Sequence, residues 1–157
     1  MASGISRPTI ETFRSLLLAV LAFGMAGTEI ELLLLEHTDG YWQLTPVVVF
    51  GVGLAAIIWW LIARGRTSLR VLQGVMALFV ASGIAGIILH YNGNVEFELE
   101  MMPGVRGFDL FGKAMMGATP ALAPGAMIQL GLMGLLYTFR HPVLVSPDQP
   151  LSRTSEY

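Results

Sequence analysis

The stretch Thr28-Glu29-Ile30-Glu31-Leu32-Leu33-Leu34-Leu35-Glu36-His37 decides the fold of this chain. It closes an apolar run that begins at Ser15, and it sets three carboxylates and an imidazole at that run's end. About 20 apolar residues cross the hydrocarbon core of a bilayer, so Ser15 to Leu35 is long enough to span. A cleaved signal peptide is the weaker alternative, because apolar residues continue past any cleavage point to Leu35. Ionisable groups inside or at the rim of a bilayer are costly and need partners. The rest of the chain is therefore expected to hold, cover and neutralise this acidic end.

Working outward, Thr38 to Gln43 is rich in turn signals, with Asp39-Gly40 at its centre. Tyr41 and Trp42 suit a membrane surface. A second apolar segment runs from Pro46 to Ala63, and Pro46 fits the first turn of a helix. Arg64 to Arg70 forms a short basic loop, and a third span covers Val71 to Leu89. The centre of that span, Ala81 to Gly86, is made of small residues, which let helix backbones approach closely. His90-Tyr91-Asn92-Gly93-Asn94 reads as a turn ending it, and Val95 to Glu100 alternates apolar and acidic like a short extended piece. Phe108 to Met116 has the pattern of one amphipathic helix lying in the interface. Pro120 and Pro124 precede a fourth span, Ala121 to Phe139. Residues 143–157 lack periodicity and are expected to be a disordered cytoplasmic tail after a single domain, 1–142.

Only 13% of the 157 residues are charged and 54% are hydrophobic, against about 25% charged in a typical soluble domain. The expected fold is all-α: an integral membrane four-helix bundle with a short amphipathic outer segment between helices 3 and 4. There is no cysteine, which excludes disulfides, thiolate metal sites and cysteine nucleophiles. No basic patch with interleaved aromatics is present, so nucleic acid is not an expected partner. No phosphate loop, nucleophile elbow or HExxH motif occurs.

Charge is strongly polarised. Four spans place both termini on one side, together with Arg7, Arg14, Arg64, Arg66, Arg70, Arg140 and Arg153. The other side carries only Arg106 and Lys113 among the basic residues. The positive-inside rule puts both termini in the cytoplasm, and the pattern fits a bacterial inner membrane. Glu29, Glu31, Glu36, Asp39, Glu96, Glu98, Glu100 and Asp109 then fall at or near the outer side.

On a continuous helix Glu29 and Glu36 share a face, with His37 about 80° around from Glu29. His37 and His90 end spans that run in the same direction, so topology places both imidazoles at similar depth. Glu29, Glu36, His37, His90, Glu96 and Glu98 are accordingly the candidate ligands for a divalent transition metal. Haem b held by His37 and His90 is a second possibility. Solvation of the outer acids, or pairing with Arg106 and Lys113, is the structural alternative. Glu29 stands apart: it lies about two turns below Leu35, inside the apolar run. For it the structural alternative is protonation or a hydrogen bond with Gln129.

The function expected from these patterns is that of a small multi-pass, non-enzymatic membrane protein. Its acidic and histidine rim binds a cation or a partner subunit, in a homo-oligomer or a larger complex. A haem- or metal-binding redox protein using His37 and His90 is the runner-up. A cation- or proton-coupled transporter using Glu29 is the third reading.

Overall fold

The computed structural model describes residues 7–145 of the 157. Among the described residues the chain is all-helical, with no strand. The helices are α1 (Arg7–Leu34), α2 (Tyr41–Ala63), α3 (Arg66–Met101), α4 (Gly107–Met115), α5 (Gly125–Thr138) and α6 (Pro142–Val145). Three of them, α1, α2 and α3, are long and apolar enough to cross a membrane. The fourth apolar segment is helical only from Gly125; its first residues, Ala121 to Pro124, form turns instead. Val143 to Val145, expected to begin the disordered tail, belong to α6. The rest of that tail lies outside the described residues.

α1 packs on α2 and α5, and α3 packs on α2, α5 and α4. No close backbone approach joins α1 to α3, so these two lie across the core from each other. The core is filled from all four sides by residues such as Leu21, Phe50, Phe79 and Leu130. The rings of Phe50 and Phe79 meet edge to face with centroids 4.9 Å apart. The tightest seam is between α3 and α5. A Cβ on Gly131 would stand 2.7 Å from the Met76 carbonyl oxygen, and one on Gly83 would stand 2.9 Å from that of Pro124. The small-residue centre of the third span thus packs on a neighbouring helix, as its composition suggests.

Other helix boundaries also differ from the sequence reading, and α3 already begins at Arg66, inside the expected basic loop. α2 begins at Tyr41, so Pro46 falls in its second turn rather than its first. The Gln43 side chain accepts the Asp39 N–H at 3.2 Å and so satisfies a donor just ahead of the helix. α1 stops at Leu34 because Glu36 adopts φ 51°. The Glu36 N–H then reaches the Leu33 carbonyl and the His37 N–H reaches that of Leu32, at 3.1 and 3.0 Å. This pair of bonds is the Schellman closure of a helix C-terminus.

The largest difference is in α3. It runs straight through His90–Asn94 and through the alternating Val95–Glu100 to Met101, 36 residues in all. At 1.5 Å per residue it is about 54 Å long, against roughly 30 Å for a hydrocarbon core. Asn94 is the reason that the turn signal fails. Its amide is buried, and Nδ2 donates to the carbonyls of Ala114 (2.8 Å) and Thr119 (2.6 Å). Oδ1 accepts the Thr119 N–H at 3.1 Å. An asparagine that would otherwise compete with helix backbone is instead spent on a tertiary clamp.

Candidate functional site

Glu29 is partly buried on α1, within the apolar run. It sits on the face of α1 that turns toward α2, and a Cβ on Gly51 would lie 3.9 Å from Glu29 Oε1. Oε2 is buried and has no hydrogen-bond partner. Gly51 is near the middle of α2, ten residues below Tyr41, or about 15 Å at the helical rise. Glu29 is therefore level with the midpoint of a membrane-length helix. Its sequence distance from Leu35 understates this depth, because α2 starts one and a half turns before Pro46 and reaches further outward. Gln129, the neutral partner that the sequence offers, is exposed on α5, and Oε2 is not bonded to it. A Cβ at Gly51 would meet the carboxyl only in ordinary van der Waals contact.

The other candidate ligands are not gathered around it. Glu36 and His37 lie past the end of α1, and the positive φ of Glu36 takes it off the helical face that Glu29 occupies. The shared face inferred from a seven-residue spacing is thus broken by the Schellman turn. His90 is on α3, across the core from α1, with Nδ1 3.1 Å from the Pro120 carbonyl oxygen. That oxygen can only accept, so Nδ1 carries the proton. Glu96 and Glu98 are helical and about 200° apart around α3, which points them in nearly opposite directions. Among the described residues no three His, Asp or Glu side chains come together in a group that could hold a metal ion. The six-residue metal site is accordingly not assembled. Its spacing argument assumed one continuous helix and two packed partners, and neither condition holds.

A second polar cluster, at the opposite end of the chain's spans, was not legible as such. Arg14 of α1 donates to the carbonyls of Tyr137 (2.6 Å), Phe139 (3.0 Å) and Arg140 (3.3 Å), the unpaired end of α5. Trp60 Nε1 donates to the Tyr137 hydroxyl at 2.6 Å. The His141 ring stands edge-on to Trp60 at 5.2 Å and beside Tyr137 at 5.6 Å. Its Nδ1 accepts the Val143 N–H at 3.3 Å, while Arg66 Nε donates to the Val143 carbonyl at 3.1 Å. Burial, then the charges of Arg14 and Arg64, hold the His141 imidazole below its ordinary value. Nothing in the spacing of Trp60, Tyr137 and His141 links them in the sequence. The available signal was Arg14 itself, a cation at the head of an apolar run that needs acceptors.

No family model, curated protein or solved structure matches this chain.

Proposed function

We propose that this chain is a non-enzymatic membrane protein whose activity centres on Glu29, an intramembrane carboxyl that binds and releases a proton or a small cation. In this reading α1, α2, α3 and α5 form a four-helix membrane bundle with both termini cytoplasmic, and the arginine-rich end faces inward. The observation that carries it is the buried, unpartnered Oε2 of Glu29 at the level of the α2 midpoint. A carboxyl so placed is costly to fold around, and such groups are kept where they take part in ion or proton movement or pair with another chain.

The surface hollows lined by Gly107, Phe108 and Phe111, and by Pro8, Thr9, Thr12, Phe13 and Leu16, do not reach Glu29. In this reading a path to it is formed with a second copy or a partner subunit. The exposed acids Glu31, Glu36, Asp39, Glu96 and Glu100 line the outer side and favour cations near its mouth. The test uses proteoliposomes with an imposed pH or cation gradient. Wild-type protein is expected to dissipate the gradient, and Glu29→Gln to abolish that flux while eluting as the same folded species. Infrared difference spectra across pH supply a second readout: one titrating carboxylic C=O band should vanish in Glu29→Gln. Unchanged flux and an unchanged band in the variant would sink the proposal.

A further inference from the structure

We propose that α4 is a collar that binds the outer leaflet of the bilayer, with Phe108, Phe111 and Met115 in the acyl-chain boundary and Asp109 and Lys113 in the headgroup and water layer. The inference rests on the membrane reading above and adds a lipid-binding surface to it. α4 has three faces rather than two. At 100° per residue, Phe108, Phe111 and Met115 fall within one 60° arc. Asp109 and Lys113 fall in a second arc, and Leu110 and Ala114 in a third, each roughly a third of a turn from the next. Ala114 is fully buried against α3, on the side that Asn94 clamps. Asp109 and Lys113 are an ion pair at 3.6 Å on the wet side. The remaining arc is apolar and largely uncovered: Phe108 is 92% exposed, Phe111 is also exposed, and Met115 is half-buried. Three faces suit the line where protein, lipid and water meet, whereas a helix on a soluble domain has use for two.

The height of α4 agrees. The apolar part of α3 ends at Leu89, and the next residues hold the outer segment in place. His90 meets Pro120, the Tyr91 ring lies 6.0 Å from that of Phe111, and Asn94 grips Ala114 and Thr119. Asn94 is about 7 Å beyond Leu89 along the helix, close to the thickness of one headgroup layer. Phe108 extends the aromatic row, 6.2 Å from Phe111. Tyr41 and Trp42, both exposed at the start of α2, stand at the same end of the molecule. Together these residues form an aromatic belt that the apolar face of α4 joins.

The chain has no cysteine, so single-cysteine variants can carry a nitroxide without background. Labels at Phe108→Cys, Asp109→Cys and, on the lipid side of α2, Val52→Cys are placed in vesicles of phosphatidylcholine and phosphatidylglycerol. Collision with oxygen reports lipid, and collision with a water-soluble nickel chelate reports water. Positions 52 and 108 are expected to favour oxygen, and position 109 nickel. A lipid-facing label at 52 with a water-facing label at 108 would overturn the collar and leave the membrane reading intact. Water-facing labels at both would overturn both. Because residues 108 and 109 are exposed, neither change disturbs the core.

Discussion

Arg14 and Tyr137 are 123 residues apart in sequence, and the Arg14 guanidinium donates to the Tyr137 carbonyl at 2.6 Å. The same fork reaches Phe139 and Arg140, so one side chain of α1 closes the end of α5. Arg14→Ala removes charge-assisted bonds and leaves those carbonyls unpaired. The expected cost is on the order of 1–3 kcal/mol. Arg14→Lys keeps the charge but not the planar fork, and should recover only part of the loss. Thermal unfolding in mild detergent, followed by circular dichroism, compares the three proteins.

Asn94 ties the segment that carries α4 to α3 through three hydrogen bonds. Asn94→Ala should free the segment locally, at about 1–3 kcal/mol, without unfolding the spans. Trypsin cleavage at Arg106 and Lys113 should accelerate while the helix content holds. Asn94→Asp should be worse than Ala, since a carboxylate would face two carbonyl oxygens. Equal protease resistance in all three proteins would contradict the clamp.

Along the α3–α5 seam the space at each glycine sets the sign of a change to alanine. Gly131→Ala would drive a methyl against the Met76 carbonyl oxygen and the Phe79 Cβ, at 2.7 and 3.0 Å, and backbone yields poorly. A loss of about 1–3 kcal/mol is expected. At Gly74 nothing lies within 4 Å of the added Cβ, so Gly74→Ala should be neutral or gain up to about 1 kcal/mol. The melting temperature should therefore fall for Gly131→Ala and hold or rise for Gly74→Ala.

Acid should weaken the Trp60–Tyr137–His141 end. The His141 value in the fold lies below that of the unfolded chain, about 6.5. The unfolded state then takes up its proton first as pH falls. Stability from the neutral ring is whole above that unfolded value and is lost as pH falls through the folded one. Protonation also ends the acceptance of the Val143 N–H by Nδ1 and adds a charge near Arg14 and Arg64. The melting temperature should drop as pH falls below about 6.5. His141→Asn should flatten that slope, and an equal slope in both proteins would assign it elsewhere.

Glu36 holds a left-handed conformation, φ 51°, that costs a side-chain-bearing residue roughly 1–2 kcal/mol. Glu36→Gly should relieve this and stabilise the protein, since glycine is the usual residue at that position of a Schellman turn. A metal-ligand role for Glu36 would instead make the same variant lose a bound cation, as read by elemental analysis of the purified protein.

Apolar length and periodicity are local properties, so four apolar segments, the polarised charge and the amphipathic pattern of α4 were legible in the sequence. Glu29 was legible too, as a carboxyl inside an apolar run. The fate of the His90–Asn94 turn was not, because the partners of Asn94 lie 20 and 25 residues away. Nor was the metal constellation testable by spacing. Whether Glu36 continues the face of Glu29 depends on one φ angle, and whether His37 meets His90 depends on which helices are neighbours.

The sequence by itself determined the membrane-length apolar helices and an acidic and a basic end, because the solvent preference of each segment is written in its own residues. Tertiary structure decided how far α3 extends, how deep Glu29 lies, and what Arg14 and His141 bind. Those outcomes depend on where a second helix begins and which carbonyls it leaves unpaired, and no single segment carries that information.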